Sequence, residues 1–157
     1  MIGIVDYGAG NIGSLSNALA YLHIEHKVTS NPEKLSRCDG IILPGVGAFQ
    51  AAIQKLEKFG LISFLQDWAE SGKPFLGICL GMQLMLEASE EDGEHQGLGL
   101  IQGKVLPLYG APRSIHIGWN LVKPARPHNS LQRPEYAYFV HAFACHLEDS
   151  EITVGVT

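Results

Sequence analysis

The chain has 157 residues, 46% hydrophobic and 17% charged, the balance of one soluble domain with a core of its own. Eleven basic against sixteen acidic side chains give a net charge of −5, which leaves no basic footprint for nucleic acid. No apolar run approaches a membrane span, and Met1-Ile2-Gly3 opens without a charged n-region or cleavage site. Three cysteines, Cys38, Cys79 and Cys145, form no CxxC pair, so a reduced cytoplasmic protein is expected rather than a disulfide scaffold.

In chain order, Ile2 to Val5 is a short apolar run that ends at the turn Asp6-Tyr7-Gly8-Ala9-Gly10. A helical pattern follows, with Leu15, Ala18, Leu19 and Leu22 on one face. Lys27 to Thr29 reads as a second strand closed by Asn31-Pro32, and Ile41-Ile42-Leu43 as a third, buried on both faces and ending at Pro44-Gly45-Val46-Gly47. Helical spacing resumes at Ala52, Ile53 and Leu56, and again at Ile62, Leu65 and Trp68, until Ser71-Gly72-Lys73-Pro74 stops it. Phe75 to Ile78 is a fourth strand, and Leu80 to Ala88 a helix. Glu87 to Glu94 reads as a solvated acidic loop. This alternation predicts an α/β fold with a mostly parallel sheet covered on both sides. Beyond it, Val105 to Tyr109, Ile115 to Val122, Tyr136 to Phe143 and Ile152 to Val156 read as strands. They are expected to extend that sheet and to add antiparallel hairpins within one domain spanning residues 1–157. The last run alternates like a strand where the sequence stops, so the domain is expected to be incomplete at its C-terminal end.

Gly77-Ile78-Cys79-Leu80-Gly81 carries the most chemistry. A small reactive residue between two glycines, after a strand and before a helix, is the pattern of a nucleophile elbow. A cysteine there would sit at a helix N-terminus, where the dipole favours thiolate. The ordinary reading of a cysteine, a small buried hydrophobe, is weak in that context. Acyl transfer also needs donors for an oxyanion, each affecting the barrier by about 3 kcal/mol. The N–H of Leu80 is one, and the Gly45-Val46-Gly47 segment after the neighbouring strand is the expected source of a second. Seven histidines, His23, His26, His95, His116, His128, His141 and His146, are candidates for a base. His23 and His26 are expected to be exposed, and His141 near a strand end lies closest to a site. A zinc set of His141, Cys145 and His146 lacks a second ligand pair at a known spacing. Gly8-Ala9-Gly10-Asn11-Ile12-Gly13 matches G-x-G-x-x-G, but no acid stands at the tip of the second strand to take a ribose. A tight strand-to-helix turn is the better reading, and no cofactor is expected.

Taken together, these residues resemble the triad glutamine amidotransferases, whose G-x-C-x-G-x-Q elbow is matched by Gly77-Ile78-Cys79-Leu80-Gly81-Met82-Gln83. Within that superfamily, three segments are similar to the glutaminase subunits of imidazole glycerol phosphate synthases: Asp6 to Asn11, Pro44-Gly45-Val46-Gly47-Ala48-Phe49, and Ile117-Gly118-Trp119-Asn120. Gly97-Leu98-Gly99-Leu100 and Tyr138-Phe139-Val140-His141 fit as well. The resemblance implies a three-layer αβα sandwich with a mixed, mostly parallel central sheet. It implies that Cys79 attacks the carboxamide of glutamine, that Leu80, Val46 and Gly47 form the oxyanion hole, and that Gly47 and Gln83 hold the substrate. It further implies that ammonia passes to a barrel-shaped cyclase subunit in histidine biosynthesis, with Asn11, Trp119 and Asn120 towards that partner. The Gly45-Val46-Gly47 glycines would let an oxyanion peptide reorient when the cyclase binds its ligand.

Two departures stand out. The family's His-Pro-Glu base motif does not occur in these residues, and His146-Leu147-Glu148 is not its equivalent. The residue after His141 is Ala142 where a small hydroxyl residue is usual, so one hydrogen bond to bound glutamine is expected to be lost or replaced by water. Little glutaminase activity is therefore expected from these residues alone. Two alternatives remain: the glutaminase of an anthranilate or aminodeoxychorismate synthase, and a non-catalytic module that docks a cyclase.

Overall fold

The computed structural model describes residues 1–108 and 115–157. A four-stranded parallel sheet forms its first half: β1 (Ile2–Val5), β2 (His26–Thr29), β3 (Gly40–Gly45) and β4 (Phe75–Cys79), in the order β2-β1-β3-β4. Helix α1 (Ile12–Tyr21) links the first two strands, and Asn11 caps it by accepting from the Ser14 N–H. A four-residue helix α2 (Pro32–Leu35), absent from the sequence reading, follows β2. Its signals are local: Asn31 accepts from the Lys34 N–H, Pro32 stands in the first turn, and Leu35 is buried. Helices α3 (Phe49–Lys58) and α4 (Leu61–Glu70) are separated by Gly60 in the left-handed conformation, φ 64°.

Period-two alternation divides the core. Ile4 and Ile42 pack with Leu19 on the α1 side, while Val5, Ile41 and Leu43 join Phe49, Leu56, Leu65 and Trp68 of α3 and α4 on the other. All six residues of β3 are buried, as its composition predicts. Cover on both faces does not extend to β4, where Leu76 is 53% and Ile78 39% exposed. Leu22, expected on the buried face of α1, lies past its end and is exposed.

The helix expected over Leu80 to Ala88 is not formed. Helix α5 covers only Leu80–Gln83, and Leu86–Ser89 is strand β5. The cause is a later segment. The N–H groups of Gly97, Leu98, Gly99 and Leu100 donate to the carbonyls of Glu87, Leu84, Leu86 and Met85, which a continuing helix would have used itself. A side chain at Gly97 would collide with the carbonyls of Leu84 and Leu86, so only glycine permits the approach.

The second-half strands do not extend the first sheet. Strands β5, β6 (His95–Gln96), β7 (Ile101–Pro107) and β10 (Phe143–Leu147) form a separate mixed sheet in the order β10-β7-β5-β6. Strands β8 (His116–Pro124) and β9 (Glu135–His141) form an antiparallel hairpin, with β11 (Gly155–Val156) on β8. The strand expected over Ile152 to Val156 is thus two residues, preceded by a 3-10 turn at Ser150–Ile152. Tyr109, the expected end of another strand, lies outside the described residues. Leu86, Leu98 and Val105 belong to the same buried cluster as Val5 and Leu43, so the core runs through both halves. No helix among the described residues is long and apolar enough to cross a membrane.

Candidate active site

Four parallel strands deliver their carboxyl ends to one side of the sheet. From β1 the chain first moves to β2 and then crosses to β3, so the strand order reverses between β1 and β3. Ligands of open α/β sheets bind outside the carboxyl ends at such a point. Here the turn after β1, the Val46–Gly47 segment after β3, and Cys79, the last residue of β4, all lie at that end.

Cys79 has φ 55° and ψ −118°, a conformation that costs a non-glycine residue about 1–3 kcal/mol. The turn is held by close packing around it. A Cβ on Gly77 would lie 2.6 Å from Met82 Cα, and one on Gly81 would overlap the Leu43 carbonyl oxygen. The flanking glycines therefore serve close approach, while the unusual dihedral sits on the cysteine itself. Cys79 is exposed; Leu80 beside it is buried. Because α5 is a single turn, the dipole available to a thiolate is smaller than the longer expected helix would supply.

Strand register brings the expected oxyanion segment to Cys79. Gly45 pairs directly with Cys79, so Val46 and Gly47 come next to the elbow. Gly47 has φ +97°, and no hydrogen bond among the described residues engages the N–H of Val46 or Gly47. The Leu80 N–H opens α5 and belongs to the four donors that a helix leaves free. The segment is anchored on both sides. Buried Tyr7 donates its hydroxyl to the Pro44 carbonyl (2.9 Å), and the Phe49 N–H donates to a Glu91 carboxylate oxygen (2.7 Å). Burial, with a smaller contribution from nearby Cys79, pushes the Tyr7 hydroxyl far above its ordinary range, so it remains a donor.

Two adjoining clefts of about 440 and 380 Å³ open around Cys79, a size suited to a small molecule. Cys79, Gln83, Val140, His141 and Phe143 line both; Val46, Gly47, Leu80 and Glu91 line the smaller. Gln83 Nε2 donates to the Phe143 carbonyl at 3.1 Å. The sequence places Glu91 in a solvated acidic loop. Glu91 instead reaches the cleft and the first turn of α3, a tertiary placement with no local signal except its charge. Glu87, from the same run, accepts from the Gly103 N–H.

Among the histidines, His141 alone lines the clefts. Its Nδ1 lies 2.9 Å from the Phe143 carbonyl and its Nε2 3.2 Å from His116 Nδ1. His23, His128 and His146 are exposed; His26 is half-buried rather than exposed, bonded to Ser16 and the Ile24 carbonyl. Cys145 also lines the larger cleft, and burial, with a contribution from Cys79, raises its thiol to about 11. Ala142 lines the smaller cleft and offers it no hydroxyl. Asn11 is exposed at the start of α1, Trp119 is 67% exposed on β8, and Asn120 beside it is half-buried. Trp119 stands edge-on to Tyr138, ring centroids 5.6 Å apart.

Residues 3–156 match the family described as glutamine amidotransferase class-I. The chain is 47% identical to "Imidazole glycerol phosphate synthase subunit HisH" of Desulfitobacterium hafniense, over all of this chain and 76% of that protein. It is 42% identical to the protein of the same name from Sulfurimonas denitrificans, over all of this chain and 79% of that one. Among solved structures, a glutamine amidotransferase superposes with a TM-score of 0.78 at 17% identity, covering 98% of this chain and 78% of the other. PurLQS from Thermotoga maritima superposes with 0.72 at 21% identity, covering 98% and 72%. At such identities these two bear on the fold alone.

Proposed function

The chain belongs to the class-I glutamine amidotransferases, and from that premise we infer that it is the glutaminase subunit of an imidazole glycerol phosphate synthase. It hydrolyses glutamine to glutamate and ammonia, and the ammonia feeds a cyclase subunit in histidine biosynthesis. The observation that carries this reading is the Gly45–Cys79 register, which sets free backbone donors beside a strained, exposed thiol.

Chemistry follows from that geometry. The Cys79 sulfur attacks the carboxamide carbon, and the oxyanion that forms is met by the N–H groups of Leu80 and the Val46–Gly47 segment. Collapse releases ammonia and leaves a glutamyl thioester, which water cleaves to glutamate and free thiol. Gln83 and the Gly47 backbone hold the substrate. Glu91, the one carboxylate of the cleft among the described residues, pairs with its α-ammonium group. Asn11, Trp119 and Asn120 face the cyclase, which has a barrel fold. Exposure of Trp119 and Asn11 supports that assignment. Residues 1–157 belong to one amidotransferase domain, a reading supported by the core shared between the halves. We place the chain in the cytoplasm, in keeping with its three free cysteines.

The test is ammonia release from glutamine in the complex with the cyclase subunit. Cys79→Ala is expected to reduce it to background. Turnover that survives this substitution would sink the assignment of the nucleophile.

A further inference from the structure

The imidazoles of His116 and His141 face each other across the β8–β9 hairpin, at directly opposed register positions. The tautomers of the neutral rings follow from what surrounds them. A carbonyl oxygen can only accept, so the Phe143 carbonyl, 2.9 Å from His141 Nδ1, places the proton of neutral His141 on Nδ1. His141 Nε2 then carries a lone pair, and His116 Nδ1, 3.2 Å away, must be the donor to it. His116 is further fixed by stacking on Phe139, with centroids 5.5 Å apart and planes at 17°. Both nitrogens of neutral His141 are thus occupied, and no lone pair remains to take a proton from Cys79. His141 is not a free general base; its ring has a different task.

That task is visible at the Phe143 carbonyl, which accepts from His141 Nδ1 and from Gln83 Nε2 at 3.1 Å. Donation through Nε2 settles which way round the Gln83 amide stands and leaves its Oε1 as an acceptor. Gln83 lies on the turn that follows Cys79 and lines both clefts. Glutamine brings N–H donors, on its α-ammonium and its carboxamide, that an acceptor there can meet.

We propose that His116 is a positioning residue for glutamine: through His141 and the Phe143 carbonyl it holds Gln83 with its oxygen free for the substrate. The inference rests on the glutaminase reading above, deepening it at the same site. Without the His116 donor the His141 ring is free to turn, the Phe143 carbonyl loses its second bond, and the Gln83 amide can flip. His116 lies on β8, three residues from Trp119 and on the opposite face of the strand.

The test uses the full chain and two thiol reagents: a chloroketone analogue of L-glutamine, which must be bound before Cys79 displaces chloride, and iodoacetamide, which need not be. For His116→Leu, the half-saturating concentration of the chloroketone is expected to rise about 3- to 10-fold, the equivalent of one lost hydrogen bond. The iodoacetamide rate at Cys79 is expected to stay within about 2-fold, below the loss of such a bond. Asn at 116 places an amide N–H close to the position of Nδ1, so His116→Asn is expected to restore chloroketone binding. An unchanged half-saturation in His116→Leu, or an equal slowing with both reagents, overturns the proposal. Failure of the chloroketone to label wild-type Cys79 saturably instead overturns the glutaminase reading. Should His116→Leu not fold, the scalar coupling across the bond between His116 Nδ1 and His141 Nε2, read by ¹⁵N NMR in the wild type, decides. Its presence supports the relay and its absence overturns it.

Discussion

Cys79, Cys38 and Cys145 differ in reactivity for reasons legible at single residues. Cys79 is exposed on its elbow, Cys38 is buried at 2% exposure, and burial holds Cys145 protonated up to about pH 11. Since the thiolate is the attacking form, brief iodoacetamide treatment near pH 8 is expected to modify Cys79 first, as peptide mass spectrometry would show. Equal modification of Cys145 would contradict the burial argument. Gly47 is a second such position. Its φ of +97° strains any L side chain although a Cβ there would meet open space. Gly47→Ala is expected to cost about 1–2 kcal/mol of backbone strain or to shift the peptide out of place. Either way ammonia release should fall while the melting transition stays cooperative.

At the scale of elements, the elbow depends on how closely β3, β4 and α5 approach. A methyl group at Gly81 would overlap the Leu43 carbonyl, which is backbone and cannot swing aside. Gly81→Ala is therefore expected to destabilise the fold by about 2–3 kcal/mol in urea unfolding. An unchanged midpoint would show that α5 has room to move. Strand β10 gives a pH dependence. Its Cys145 has a folded pKa of about 11, raised from an ordinary 9.0. The folded state thus binds that proton more tightly than the unfolded chain. Stability from this group is complete below pH 9 and is lost as the pH rises through 9 to 11. Urea midpoints are expected to fall over that window, and the fall should be smaller in Cys145→Ala.

At the scale of the whole molecule, the β8–β9 hairpin presents a strongly apolar, exposed face. Ile117, Trp119, Tyr136, Tyr138 and Val140 share it by strand alternation, and each is more than half exposed. Trp119→Ala is expected to weaken association with the cyclase by about 2 kcal/mol, roughly 30-fold, as loss of a buried aromatic anchor does. Stability of the free chain should change by less than about 1.5 kcal/mol, the range of one aromatic pair. Titration calorimetry and thermal unfolding of the same variant separate the two effects.

The first sheet, the elbow and the glycine segment beside it were legible in the sequence because their determinants are local. Short apolar strands, Gly and Pro stops and a Gly-x-Cys-x-Gly turn act within a few residues of themselves. Elsewhere, groups distant in sequence decide. The helix expected beyond Gln83 gave way because the segment from Gly97 to Leu100 took its carbonyls. Later strands formed sheets of their own rather than extending the first. Glu91 became part of the cleft, and His141 was bound at both nitrogens, through contacts with Phe49, His116 and Phe143. By itself, then, the sequence determined the Cys79 turn and the family, since those rest on spacing along the chain. Which donors and acceptors surround Cys79 was decided only by the tertiary structure, because hydrogen bonds between residues far apart in sequence depend on how the elements pack.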